Sequence, residues 1–286
     1  MITRIVLIYA AVMLAVAVAV TAAGCGGDAG ASDGETEVVV GFYPLAFAAE
    51  RIGGEGVEVT NVTPAGAEPH DVELSVRDVE RVRSADLVLY AGGDFQPALA
   101  EAAGEAEGRA VDVLAGLELR VGDPHVWLDP LRFAEVVERI GTELGVPSAA
   151  RRFVSELDEL DADYRAGLAD CERRELVTGH DAFGYLAERY GLEAIPIAGV
   201  APETEPSPRD LEEIAGLVAE RGVTTVFVET LLSPEVAETV AREAGADTTV
   251  LNPLEGLTEE ELERGEDYLS VMRANLEALR EGLGCR

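Results

Sequence analysis

Three histidines are the residues of this chain whose type and setting could do chemistry. His70 lies in Gly66-Ala67-Glu68-Pro69-His70-Asp71-Val72-Glu73, His125 in Asp123-Pro124-His125-Val126-Trp127-Leu128-Asp129-Pro130, and His180 in Val177-Thr178-Gly179-His180-Asp181. They are the only His among 286 residues, and none falls within an apolar helical repeat. Pro124 and Pro130 fence the His125 stretch and fix the backbone on either side, and Pro69 precedes His70. A single His beside a Trp is ordinarily a hydrogen-bonded packing residue. Three neutral imidazoles brought to one point would instead make a borderline-soft metal site.

The elements that must position them alternate. β-Branched runs predict strands at 38–42, 57–62, 87–90 and 110–114, with helices at 45–52, from Ser75, at 95–103 and at 131–144. Ser75-Val76-Arg77-Asp78 is a capping box, with Val76, Val79 and Val82 expected on the inner face of its helix. Residues 148–170 form one uninterrupted charged helical pattern in which Phe153, Leu157, Leu160, Tyr164 and Leu168 recur at threes and fours. At 1.5 Å per residue such a helix runs about 35 Å. Strands recur at 175–178, 192–197, 225–228 and 248–251, and Ser207-Pro208-Arg209-Asp210 opens another helix. Tyr268, Met272, Leu276, Leu279 and Leu283 make the apolar stripe of a C-terminal helix.

The fold class this predicts is α/β: two lobes with parallel sheets covered by helices, joined by one long rigid helix. The boundaries are an N-terminal lobe at 37–147, a connecting helix at 148–170 and a C-terminal lobe at 171–286. Parallel sheets bind ligands beyond the carboxyl ends of their strands. That rule sends His70 and His125 from one lobe, and His180 from the other, to a metal site in the cleft between them.

With 55 acidic against 22 basic residues the net charge is -33, which argues against nucleic acid as a partner. All the basic residues are Arg, which reads as biased composition and an acidic surface. Arg4 precedes sixteen apolar residues, then Thr21-Ala22-Ala23-Gly24-Cys25. One reading of that run is a transmembrane anchor. Small residues ending at a Cys resemble instead a bacterial lipoprotein signal peptide over 1–24, which would leave Cys25 as the lipid-bearing N-terminus. Residues 25–36 then read as a flexible tether, and the protein as extracytoplasmic and held to the membrane. Cys171 and Cys285, an even pair in an oxidising compartment, argue for a disulfide over two unrelated thiols.

From residue 38 onward the chain resembles a known family, the metal-binding solute-binding proteins of zinc/manganese ABC importers (cluster A-I). The motifs that carry the likeness are Phe42-Tyr43-Pro44-Leu45, the three His segments, Ala85-Asp86-Leu87-Val88-Leu89, Ala182-Phe183-Gly184-Tyr185 and Phe227-Val228-Glu229. The resemblance implies two α/β lobes joined by a long helix, with His70, His125 and His180 as three of four metal ligands. It also implies delivery of Zn2+, or Mn2+, to a membrane permease with its ATPase; a monomer is expected. The family's fourth ligand is usually an Asp after the last strand, where this chain has Asn252 in Leu251-Asn252-Pro253-Leu254. Asn252 is therefore either the fourth ligand or a turn residue. If it ligates, the site should bind weakly, and Asn252→Asp should tighten it. Residues 98–122 lack the His-rich loop of many zinc members, while a third imidazole in place of a carboxylate favours zinc over manganese.

Two other functions fit some of these features. Three His with an open fourth position also describe a zinc hydrolase, with Asp71, Asp181, Glu73 or Glu229 as general base, although no His-Glu-x-x-His signature is present. The third is a metal-dependent surface adhesin. A binding protein, not an enzyme, is the expected function.

Overall fold

The structure is a computed structural model, and it describes residues 35–201 and 206–286. The signal-peptide segment 1–24, the lipid-attachment residue Cys25 and most of the tether lie outside the described residues. Among the described residues no helix is long and apolar enough to cross a membrane.

The first half runs β1 (Thr36–Val40), α1 (Tyr43–Gly53), β2 (Val57–Asn61), α2 (Val76–Ser84), β3 (Leu87–Tyr90), α3 (Pro97–Ala103), β4 (Arg109–Asp112) and α4 (Pro130–Glu143). Helix α5 (Pro147–Gly167) follows. The second half runs β5 (Glu175–Thr178), α6 (Gly184–Tyr190), β6 (Glu193–Pro196), α7 (Pro208–Glu220), β7 (Thr225–Val228), α8 (Glu235–Ala244), β8 (Asp247–Val250), α9 (Glu259–Glu263) and α10 (Tyr268–Leu283). Each half builds a four-stranded, all-parallel sheet, in the order β2-β1-β3-β4 and then β6-β5-β7-β8. The two orders are the same permutation, so each half reverses strand order beside its first strand. That reversal is where an α/β sheet opens a crevice.

Local chemistry explains the helix ends. Ser75 and Asp78 form a reciprocal capping box at α2, as Ser207 and Asp210 do at α7. Asp129 caps α4 by accepting from the backbone N–H groups of Leu131 and Arg132. The expectation for Val76 fails. It is 79% exposed while Val82 is fully buried. Each step of three residues falls short of a full turn, so Val76 stands about 120° around the helix from Val82.

One apolar core serves both halves. Val38, Leu87 and Leu89 of the first sheet belong to the same cluster as Leu176 and Phe227 of the second, with Phe153, Leu157, Leu160 and Tyr164 of α5 between. Phe153 meets Phe47 of α1 edge-on at 5.6 Å, and the Tyr164 hydroxyl donates to the Met272 carbonyl of α10 at 2.7 Å. Helix α5 is thus buried against elements of both halves. Cys171, just beyond it, is disulfide-bonded to Cys285 at the end of α10, closing a sequence separation of 114 residues.

Candidate metal centre

His70 sits in a 3-10 turn, Pro69–Asp71, in the loop after β2. Glu68 caps this turn through the His70 N–H, and buried Gln96 donates to the Pro69 carbonyl at 3.3 Å. His125 precedes the 3-10 turn Val126–Leu128, and His180 follows β5 directly. The rings converge: centroid separations are 5.6 Å for His70–His125, 6.3 Å for His70–His180 and 5.3 Å for His125–His180. His125 and His180 are fully buried.

Two of the imidazoles are oriented by carboxylates. Asp123 Oδ1 accepts from the His125 backbone N–H at 2.9 Å and lies 2.8 Å from its Nδ1. Glu229, just past β7, accepts the His180 backbone N–H at 2.9 Å and lies 2.5 Å from its Nδ1. A carboxylate on Nδ1 fixes the tautomer and turns Nε2 toward the centre, the usual arrangement behind a metal-bound imidazole. Gly179 makes the second contact possible, because a Cβ there would stand 2.8 Å from Glu229 Oε1. Of the acids the sequence offered as a general base, Glu229 is the one that stands here, as the partner of His180. Asp71 is exposed, and Asp181 binds Gly199 through its backbone N–H. Asp123 was visible in the His125 motif as the residue two before the His.

The centre is completed by Glu255, which sequence reasoning missed. Its Oε1 lies 3.1 Å from His70 Nε2, 2.9 Å from His125 Nε2 and 3.4 Å from His180 Nε2. The four donor atoms all fall within 4.8 Å of one another. Asn252, offered as the fourth ligand, is turned elsewhere. Its Oδ1 accepts from the Leu254 N–H at 2.7 Å, and its Nδ2 donates to Glu261 Oε1 at 3.1 Å. The signal in the sequence was an acid set between two apolar residues, Leu254-Glu255-Gly256-Leu257, three places beyond the Asn.

Charge follows from this packing. Burial disfavours the charged form of His180, but Glu229 and Glu255 outweigh it and raise the pKa to about 11. His125 is likewise raised against its burial, by Asp123 and Glu255. Burial opposes ionisation of Glu255 too, yet the three imidazoles hold its carboxyl well below the usual range. Burial, with Glu255 nearby, pushes Glu68 up to about 8.

Two buried atoms at the centre lack hydrogen-bond partners, His180 Nε2 and Glu255 Oε2. The 3.4 Å approach of His180 to Glu255 is close enough for charge attraction, but it makes no hydrogen bond. Orphaned polar atoms at the focus of four ligand-type groups are what a bound cation would satisfy. Tetrahedral zinc, with bonds of 2.0–2.2 Å, holds its donors about 3.3–3.5 Å apart, close to the 2.9–3.4 Å that separates Glu255 Oε1 from the three Nε2 atoms. A cavity of about 530 Å³ borders the cluster at His70 and Asp123, lined also by Phe95, Leu114, Arg120 and Val121.

Two parallel-sheet lobes with a three-imidazole, one-carboxylate centre between them define a class, the bilobed metal-binding solute-binding proteins. A family profile described as "Zinc-uptake complex component A periplasmic" (ZnuA) matches residues 38–282, and the chain belongs to that family. It is 35% identical over 289 residues to the zinc-binding protein AdcA of Streptococcus pyogenes serotype M3, covering 87% of this chain. It spans only 56% of that protein, about half the length of the streptococcal relatives it matches. It is 32% identical to the high-affinity zinc uptake system protein ZnuA of Bacillus subtilis, over 90% of each chain. Among solved structures, the Zn(II)-bound ZnuA-like domain of Streptococcus pneumoniae AdcA superposes with a TM-score of 0.76 at 34% identity. That match covers 87% of this chain and 99% of the domain.

Proposed function

We propose that this protein captures one divalent zinc ion outside the cytoplasm through His70, His125, His180 and Glu255, and delivers it to the membrane permease of an ABC importer. The observation that carries the proposal is the single Glu255 oxygen faced by all three Nε2 atoms at 2.9–3.4 Å. Three imidazoles and one carboxylate suit zinc better than manganese, whose sites are richer in oxygen. Four protein donors also close a tetrahedral shell. That argues against the hydrolase reading, since catalytic zinc keeps one position open for water. Attachment through Cys25 is part of the same proposal, supported by the residues before it and by the description of the pneumococcal relative as a zinc-binding lipoprotein.

The test is metal analysis of protein purified without added metal, followed by chelator-competition titration of His70→Ala, His125→Ala, His180→Ala and Glu255→Ala. One zinc per chain is expected in the wild type. Each variant should lose affinity by about a hundredfold or more, since removing a ligand exceeds the 10–100-fold cost of an outer partner. Wild-type affinity in any one of them removes that residue from the site.

A further inference from the structure

Glu255 reaches the imidazoles from a backbone that few residues adopt. Leu254, immediately before it, has φ 56°, and among the described residues it is the one non-glycine residue with positive φ. A branched, bulky residue pays a steric penalty there, and such outliers persist only where surrounding contacts over-determine them.

The contacts that do so converge on Asn252. Its Oδ1 accepts the Leu254 N–H at 2.7 Å, which closes a turn over Pro253, and its Nδ2 donates to Glu261 Oε1 at 3.1 Å. Its backbone is held at both ends by one side chain of α10: the Asn252 N–H donates to Asn275 Oδ1 at 2.9 Å, and Asn275 Nδ2 donates to the Asn252 carbonyl at 2.7 Å. Trp127 pins the next residue, donating through Nε1 to the Pro253 carbonyl at 2.8 Å. Glu261 is in turn occupied as the capping acid of α9, where its Oε2 accepts from the Thr258 N–H and hydroxyl at 2.7 and 2.9 Å. Asn252, Glu255, Glu261 and Asn275 are all buried, so few of these bonds have water as a substitute.

We infer that Asn252 is the positioning residue for Glu255: its amide holds Leu254 in the left-handed conformation and thereby turns the Glu255 carboxylate onto the three imidazoles, without itself touching the cation. An amide can accept from Leu254 and donate to Glu261 at once, whereas an ionised carboxylate can only accept. The Asn252→Asp change would keep the first bond but set a carboxylate against the Glu261 carboxylate at a buried contact of 3.1 Å. This reverses the expectation that Asn252→Asp tightens the site. The identities of 252 and 261 are instead a matched pair. Exchanging them together, as Asn252→Asp with Glu261→Gln, keeps every bond: the amide now at 261 would donate to the carboxylate now at 252 and accept from Thr258.

The inference rests on Glu255 being a ligand, as proposed above. The experiment measures zinc affinity by chelator competition, and the visible spectrum of the cobalt(II)-loaded full chain, for Asn252→Asp, Glu261→Gln, the double variant and Glu255→Gln. Asn252→Asp should bind zinc about tenfold or more weakly, as expected for an unpaired buried polar group, and should alter the cobalt bands. The double variant should return to within about threefold of wild type and restore the bands, which a merely structural role for Asn252 does not require. Asn252→Asp binding as tightly as wild type, or a double variant no better than the single, overturns the inference. If Asn252→Asp does not fold, the double variant is read alone: wild-type-like affinity and spectrum support the pairing, and their loss overturns it. Glu255→Gln with wild-type affinity and spectrum would remove the ligand assignment, and the inference with it.

Discussion

The contact between His180 and Glu229 gives the sharpest prediction about the centre. Glu229 accepts two hydrogen bonds from one residue, the backbone N–H at 2.9 Å and Nδ1 at 2.5 Å, and is itself buried. Glu229→Gln keeps the shape but supplies only one accepting oxygen. Whichever way the amide turns, its NH2 faces an N–H donor, either the backbone or Nδ1. The imidazole therefore loses either its orienting partner or the anchor of its main chain. Loss of such an outer carboxylate costs about 10–100-fold in metal affinity, roughly 1.4–2.7 kcal/mol. Gly179→Ala strikes the same contact from the other side, since its Cβ meets Glu229 Oε1 at 2.8 Å and forces one of them to move. Chelator-competition titration of both variants against wild type, with thermal unfolding of the metal-free proteins as control, measures the effect. Zinc affinity unchanged in Glu229→Gln would refute the claim that this carboxylate supports the ligand.

Two further outcomes are expected. Replacing both Cys171 and Cys285 by Ser should lower stability by about 2–5 kcal/mol, read from denaturant midpoints, while zinc affinity stays as it was, because the bridge lies at the ends of α5 and α10 and touches no ligand. Zinc binding at pH 7 should release at least one proton per ion, measured by titration calorimetry in buffers of different ionisation enthalpy, because Glu229 and Glu255 raise the His180 pKa to about 11 against its burial, and His125 is shifted in the same direction. The sign follows. With its pKa raised to about 11, His180 holds its proton at neutral pH in the metal-free protein, so zinc must displace it, and affinity should climb as pH rises toward that value. Release near zero would show that these imidazoles are neutral before the metal arrives.

Much of this architecture was legible in the residues. Strand runs such as Val38-Val39-Val40 and Leu87-Val88-Leu89 are β-branched or aliphatic, bounded by polar or glycine-rich turns, and buried on both faces, so no other element competes for them. The three imidazoles were legible for a topological reason: each follows a strand end or a proline-fenced turn, and parallel sheets gather such loops at one edge. The stripe of α10 was legible too, with Tyr268, Met272, Leu276, Leu279 and Leu283 all buried. Glu255, the proposed fourth ligand, was not. The strand pattern leads to Asn252, and the three-residue displacement to Glu255 depends on a left-handed Leu254. Leucine gives no notice of positive φ, as glycine or asparagine would. The short helix α9 was overlooked although Thr258-Glu259-Glu260-Glu261 is a capping-box signature, because in a chain this acidic the run reads as solvated surface.

The protons, the carboxylates and the choice of Asn252 belong to one balance of charge. Around the focus stand Glu255, Asp123 and Glu229, all buried, with His125 and His180 raised toward the protonated form in the metal-free state. A divalent ion that displaces protons from these imidazoles replaces positive charge already held beside the carboxylates, which limits the several kcal/mol that an uncompensated charge costs in a dry interior. A second carboxylate at 252 would break that balance, standing beside Glu261 with no imidazole to face it. The amide at 252 is therefore no weakened version of a ligand. With the carboxylate supplied from Glu255, the neighbouring position is free to be neutral, and its work is to aim the charge rather than to carry it.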